Sequence, residues 1–348
     1  MNAKRPITVG VDGMGGDEGP GVIVEGALMA LREMDAEGRV ALIGDQRVLE
    51  AEVRRFDPSG SAGSRLLIEH AAEAVGMGEE AATAARRKKE SSLAVGTRLM
   101  KEGRIDALFS AGNTGAMVAA SLLGVGRIPG VQRPALATRV PADTPSGFCV
   151  ILDVGATADC KPAHLAQFAV MGDIYTRRIL GVAEPRVGLL NIGEESSKGN
   201  ELAREAHALM TGLPIRFAGN VEGRDIFRGH ADVVVTDGFT GNIVLKFLES
   251  VAGWTSRILK DEIKSNLVSQ LGALLLMPGL KGLRRRLDYS EYGGAPLLGV
   301  NGACIVGHGR SSAKAVKNGL KAGAAFVRES VNDRIHEAFG KERAEHVG

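Results

Sequence analysis

Short apolar or β-branched runs return along this chain, each separated from the next by a stretch with helical spacing. They lie at Ile7 to Asp12, Val40 to Gly44, Ile105 to Ser110, Ala135 to Val140, Phe148 to Asp153, Arg186 to Ile192, Ile215 to Ala218 and Asp232 to Thr236. Strands alternating with helices must cross back over the sheet at each step, which gives parallel pairing. The expected class is therefore α/β, a mostly parallel sheet covered by helices. Pro20 suits the first turn of a helix over Gly21 to Glu33, and Pro162 does the same for His164 to Leu180.

With 348 residues and 44% hydrophobic content, the chain can bury one large core shared by two lobes around a cleft. A net charge of +2 and 4% aromatic residues argue against nucleic acid, which needs a basic footprint and stacking platforms. Cys149, Cys160 and Cys304 are scattered without metal-ligand or paired spacing, as suits a reducing cytoplasm. Met1 to Gly10 lacks an apolar leader core, and no stretch is long and apolar enough to span a bilayer.

One turn is written twice. Ser110-Ala111-Gly112-Asn113-Thr114-Gly115-Ala116-Met117-Val118 and Thr236-Asp237-Gly238-Phe239-Thr240-Gly241-Asn242-Ile243-Val244 share the spacing G-x-T-G-x-x-V, each between a strand and a helix. Glycine lets backbone approach a ligand, Thr or Asn caps the helix, and the free N–H groups of the first turn attract an anion such as phosphate. The same residues also serve simply to turn and cap. Further glycine-bearing loops follow the strands at Asp12 to Asp17, Asp153 to Gly155 and Asn191 to Gly193. Because ligands of open α/β sheets bind at the carboxyl ends of strands, all these loops are expected to converge on one site.

Several familiar chemistries fail. Gly13, Gly15, Gly16 and Gly19 break the dinucleotide fingerprint at Glu18, and the only Gly-Lys pair, Gly340-Lys341, lies at the tail. There is no G-x-S-x-G elbow and no zinc-type histidine cluster. Cys304, in Ala303 to Val306, reads as core. Lys198 lies in the loop Asn191 to Asn200, where it suits either an oxyanion or solvent.

Two charged or amphipathic segments stand apart. Arg86-Arg87-Lys88-Lys89 is either a solvated helix face or a contact for an acidic partner. Residues 265–287 set Leu267, Leu271 and Leu274 on one stripe, meet Pro278-Gly279, and resume with Leu280, Leu283 and Leu287 beside Lys281 and Arg284 to Arg286. This reads as a basic amphipathic hairpin that packs on the core, on a dimer partner or on a membrane surface.

The ordered motifs Val11-Asp12-Gly13-Met14-Gly15-Gly16-Asp17, Arg86 to Lys89, Ser110 to Ala116, Leu152-Asp153-Val154-Gly155-Ala156, Gly219-Asn220-Val221-Glu222-Gly223-Arg224-Asp225, Val235 to Asn242 and Tyr292-Gly293-Gly294-Ala295-Pro296-Leu297 resemble the bacterial phosphate acyltransferases of phospholipid synthesis. The resemblance covers about Ile7 to Val331, and departs where Thr157 stands in place of the family's usual Asn. It implies a three-layer α/β/α fold related to the isocitrate and isopropylmalate dehydrogenases and to phosphotransacetylase, usually as a homodimer. One catalytic domain would then span residues 1–340, with a protruding hairpin at 265–287 and a tail at 341–348. The implied reaction is transfer of a long-chain acyl group from acyl carrier protein to inorganic phosphate, with no metal and no cofactor. The acyl phosphate product would pass to a membrane glycerol-3-phosphate acyltransferase, so the protein would be cytoplasmic and peripherally membrane-associated.

Phosphate is itself a nucleophile, so direct attack on a thioester needs no serine or cysteine, only orientation and oxyanion stabilisation. Lys198, matching a family lysine, and Asn242 are assigned to the oxyanion and the attacking phosphate. Gly112, Asn113, Thr114 and Gly241 are assigned to phosphate, with Asp153, Glu195 and Asp237 to orient cationic and amide groups. Arg86, Arg87, Lys88 and Lys89 are assigned to the acidic carrier protein, and Leu271, Leu274, Leu275, Leu280, Leu283 and Arg284 to the membrane. The rivals are a short-chain phosphate acetyl- or butyryltransferase using coenzyme A, a decarboxylating dehydrogenase, and a membrane-bound scaffold of lipid synthesis.

Overall fold

The computed structural model of the protein describes residues 6–287 and 293–345. In chain order, β1 (Thr8–Asp12) leads to α1 (Pro20–Glu33), β2 (Arg39–Gly44) to α2 (Gln46–Phe56), and β3 (Leu66–His70) to α3 (Ala81–Arg87) and α4 (Ser92–Lys101). Next come β4 (Ala107–Ser110), α5 (Thr114–Gly124), β5 (Ala135–Pro141) and β6 (Phe148–Leu152). The second lobe continues through α6 (Pro162–Leu180), β7 (Arg186–Leu190), α7 (Glu201–Thr211), β8 (Arg216–Val221), α8 (Asp225–Arg228) and β9 (Val233–Val235). Two long helices, α9 (Gly238–Lys264) and α10 (Leu267–Leu287), precede β10 (Ala295–Leu298), β11 (Ala303–Val306), α11 (Ala313–Arg328) and α12 (Val331–Glu345).

Among the described residues the strands form one sheet in the order β3-β2-β1-β4-β11-β10-β5-β6-β9-β7-β8. Within each lobe pairing is parallel, as the alternation requires: Val11 lies between Leu42 and Phe109, and Val235 between Leu152 and Leu189. Reversal occurs at the centre, where β10 is antiparallel to β11 and to β5, and β5 is antiparallel to β6. The strands of the first lobe therefore run opposite to those of the second.

That reversal changes the expected site. Loops after β1, β4 and β11 leave at one edge of the sheet, whereas loops after β6, β7, β8 and β9 leave at the other. The two G-x-T-G turns thus point away from opposite edges rather than into one cleft.

Apolar side chains fill both faces of the sheet. One layer joins Val9, Val11 and Phe109 to helices α1, α6 and α11 through residues such as Leu28, Phe168 and Val316. The other joins Leu108, Ile151 and Cys304 to α4, α5 and the first turns of α9. Burying each large aliphatic or aromatic side chain contributes about 1.5–3 kcal/mol against leaving it in water, so the three-layer sandwich is held from both sides. Helix starts are fixed locally: Asp45 caps α2, Ser91 caps α4, Asn200 caps α7 and Ser312 caps α11.

Three strands were not anticipated. β3 ends in Glu69 and His70 and β10 contains Pro296, which blur their apolar signal, while β11 is the apolar run Ala303 to Val306, read as core with no strand assigned to it. Two expected boundaries also shift. α10 runs unbroken through Pro278 and Gly279, so the hairpin consists of α9 and α10, joined at Ser265 and Asn266, rather than of residues 265–287 alone. The expected tail begins inside α12, which continues to Glu345; residues 346–348 lie outside the described residues.

Candidate active site

At the edge where β6 and β9 end, Asp153 organises the backbone. Its Oδ1 accepts hydrogen bonds from the N–H groups of Leu136 (2.8 Å), Gly155 (3.1 Å) and Ala156 (3.0 Å), and its Oδ2 accepts from Thr157 N (2.6 Å). Asp153 is fully buried, and that burial raises its pKa against the lowering effect of the same N–H donors. Thr157 Oγ1 donates to Pro134 O at 2.9 Å, so the residue that replaces the usual Asn is turned into the scaffold.

The second G-x-T-G turn sits on this loop. A Cβ on Gly238 would lie 2.5 Å from Asp153 Oδ2 and 2.6 Å from Thr157 O, and one on Gly241 would overlap Asp153 O. Only glycine lets the two loops approach this closely. Gly155, at φ +139°, lies against Asn242, whose Cβ is 3.8 Å from the position of a Gly155 Cβ. Asp237 is the cap of α9: its Oδ1 accepts from Thr240 N and its Oδ2 from Thr240 Oγ1, both at 2.8 Å. Both carboxylate oxygens are thus engaged within the turn, and Asn242 lies in the second turn of the helix rather than at its start.

Lys198 leaves the same edge. β7 is the neighbour of β9, so the loop from Asn191 to Asn200 emerges beside the Asp237 turn. Lys198 and Glu195 are exposed, and both side chains lie over Gly193, where a Cβ would be 3.0 Å from Glu195 Oε2 and from Lys198 Cγ. Two amides support this loop without having been singled out for it. Asn191 Nδ2 donates to Lys198 O at 3.1 Å, and Asn220 Nδ2 donates to Glu195 O at 2.8 Å, while the buried Asn220 Oδ1 has no partner. Asn191 follows β7 and Asn220 lies near the end of β8, and that position at strand ends was the available signal.

The first turn occupies the opposite edge and has its own buried acid. Asp12 Oδ2 accepts from Ser110 Oγ at 2.8 Å, and Ser110 Oγ accepts from Gly112 N at 3.0 Å. Burial raises the Asp12 pKa. Asn113 Oδ1 caps α5 through Ala116 N at 3.0 Å, and its Nδ2 donates to Met77 O and Glu79 O, both at 3.1 Å. Thr114 begins α5. Gly112, Asn113 and Thr114 are therefore brought together with Asp12, while Gly241, Asn242, Asp153, Asp237, Glu195 and Lys198 share the other edge.

The basic run closes α3. Arg86, Arg87 and Lys89 are exposed, whereas Lys88 Nζ is held by Glu79 Oε1 at 2.7 Å and Ala74 O at 2.8 Å. Leu271, Leu274 and Leu275 stand exposed on α10; the side chains of Leu280, Leu283 and Arg284 lie outside the described residues. No described helix is long and apolar enough to cross a membrane. Among the described residues no group of three or more His, Cys, Asp or Glu is arranged to hold a metal ion.

The thiols are poor nucleophiles. Burial pushes Cys149 and Cys160 up to about 12 and Cys304 to about 11.

The fold is similar to solved phosphotransacetylases. One from Streptococcus pyogenes matches with a TM-score of 0.63 at 17% identity, over 94% of this chain and 95% of that one. The EutD phosphotransacetylase from Staphylococcus aureus matches with a TM-score of 0.59 at 17% identity, over 93% and 95%. A family model described as fatty acid synthesis protein matches residues 7–334. A protein of Heliobacterium modesticaldum named phosphate acyltransferase is 51% identical over 95% of this chain and 97% of its own length. Another of that name, from Geobacter sulfurreducens, is 46% identical over 97% and 95%. With this identity over nearly the whole length of the chain, the chain belongs to the phosphate acyltransferase family.

Proposed function

We propose that this protein transfers a long-chain acyl group from the thioester of acyl carrier protein to inorganic phosphate. The observation that carries the reading is that the Lys198 loop and the Asn242 turn leave neighbouring strands at one sheet edge, beside the Cys160 thiol that burial keeps protonated.

Hydrogen phosphate attacks the carbonyl carbon directly. The new C–O bond forms as the carbonyl electron pair moves onto oxygen; collapse then breaks the C–S bond, and the departing thiolate takes the proton that phosphate brought. The products are acyl phosphate and free carrier thiol. Lys198 supplies positive charge to the phosphate and the oxyanion, Asn242 supplies an amide donor, and Gly241 with Gly155 keeps the approach open. Electrostatic and hydrogen-bond donors of this kind contribute about 2.7–4 kcal/mol each where they meet developing charge.

The exposed arms of the hairpin extend the reading. Leu275 is 83% exposed and Leu271 65%, an apolar row that suits a membrane surface where acyl phosphate is passed to a glycerol-3-phosphate acyltransferase. Phe239, Ile243, Phe247 and Trp254 form a second exposed row on α9, which suits a second copy of the chain in a homodimer.

The test is release of carrier thiol from palmitoyl-acyl carrier protein with and without phosphate, with hydroxylamine trapping of the product. Phosphate-dependent release with equal trapped acyl group supports the proposal. Activity confined to short-chain coenzyme A thioesters would replace it with the phosphotransacetylase reading, and no transfer to phosphate from either donor would remove it.

A further inference from the structure

A cavity of about 150 Å³ opens between α3, α4 and α5. Its walls are mostly apolar: Val75 and Leu93 stand beside the small residues Ala85, Ala94, Ala116 and Ala120. Its two hydroxyls are already engaged. Ser91 Oγ donates to Lys88 O at 2.8 Å, and Thr97 Oγ1 donates to Ala94 O at 3.1 Å. Hydrocarbon is the guest that this lining fits, and the volume is about that of a cavity known to bind benzene, a six-carbon ligand.

The mouth has the opposite character. Lys89 lines it, with exposed Arg86 and Arg87 one turn away on α3 and exposed Leu123 on α5.

Position links the slot to the transfer site. α5 runs back against β4, so Leu123 and Gly124 approach the edge where β6 and β9 end. The chain of pairings is continuous: Asn301 N donates to Gly126 O, Ile128 N donates to Gly299 O, Leu298 pairs with Ala135, and Leu136 N reaches Asp153 Oδ1. From β4 to β6 there are four strand spacings, about 19 Å laterally at ~4.8 Å each. An extended hexadecanoyl chain reaches that far with its terminal carbons, and an octanoyl chain does not.

We infer that this slot receives the distal carbons of the long acyl chain while its carbonyl lies at the Asp153 edge. The inference rests on the acyl-transfer reading above, and makes the slot a chain-length determinant.

The test compares hexadecanoyl- and octanoyl-acyl carrier protein in phosphate-dependent thiol release by wild type, Ala94→Phe and Leu123→Glu. Ala94 is only partly buried and Leu123 is exposed, so both variants are expected to fold. Filling the slot or charging its mouth should lower the hexadecanoyl-to-octanoyl ratio of kcat/KM by about tenfold or more. An unchanged ratio would overturn the inference. In parallel, a fluorescent hexadecanoic acid is titrated into wild type and Ala94→Phe, with lost or weakened binding in the variant expected and equal binding counting against the slot. Should wild type turn over neither thioester, the transfer reading fails instead, and the titration alone decides whether the slot takes a chain.

Discussion

Asp153 Oδ2 lies where a side chain on Gly238 would have to go, 2.5 Å from the Cβ that any other residue would place there. The acid that ties down one loop is thus also the wall against which the next helix starts. Gly238→Ala forces that wall to move, and overpacking of this kind costs about 1–3 kcal/mol. Both thermal stability and phosphate-dependent thiol release should fall; a variant with unaltered melting and turnover would show that the two loops are not in contact in solution.

Asp153→Asn keeps the shape but replaces an acceptor oxygen with an amide that faces N–H groups. Leaving buried donors unsatisfied costs about 1–3 kcal/mol, so urea unfolding should shift to lower denaturant and transfer should weaken. Asp153→Ala should be worse on both counts.

Asp12 predicts a pH dependence. Burial raises its folded-state pKa above that of the unfolded chain, so protonation favours the folded form. This contribution is complete below the unfolded-state carboxyl pKa and is lost as pH rises through the raised folded-state value. Asp12→Asn cannot ionise, so its stability should gain on wild type across that interval. Parallel urea titrations from acid to neutral pH measure the difference, and a constant gap would refute the prediction.

Lys198 is exposed and Asn242 belongs to a helix already capped by Asp237. Alanine at either position should leave the melting temperature nearly unchanged, while lowering kcat by about a hundredfold to a thousandfold if each acts as a donor to the transition state. By contrast, Cys160→Ala should retain turnover, because a thiol held near 12 is not the nucleophile.

The basic run separates into two behaviours. Reversing Arg86 and Arg87 to Glu should raise KM for the carrier protein, more so at low salt, with little effect on stability. Lys88→Ala should act on the loop that Lys88 holds through Glu79 and Ala74, which loosened proteolysis resistance around residues 74–79 would reveal.

Strand positions were legible because buried parallel strands must be short and apolar, and Thr8–Asp12, Phe148–Leu152 and Val233–Val235 announce themselves. Their directions were not. A strand such as Ala295–Leu298 with a proline in it carries no periodic signal, yet its antiparallel pairing sets one lobe against the other and parts the two glycine turns. The local roles of Asn113 and Asp237 followed from helix-cap chemistry once the helices were seen, whereas Asp153's grip on Leu136 spans seventeen residues and depends on β5 folding back on β6. The slot beside α5 was invisible in sequence, since alanines mark a void only when their neighbours are known.

The last third of the chain is stitched into the middle of the sheet. β11 and β10 lie between β4 and β5, and α11 covers α1, where Lys317 and Lys321 meet Glu33 at 2.7 and 2.6 Å. On the ribosome, therefore, β4 waits with one bare edge while more than 180 further residues, from Ser110 to Ala303, are made. Such long-range closure is slow and leaves pairing-competent edges open. Final assembly of the first lobe is an event of the finished polypeptide, and chains truncated before Ala295 should be captured by chaperones or lost to aggregation rather than persist as a half-sized domain.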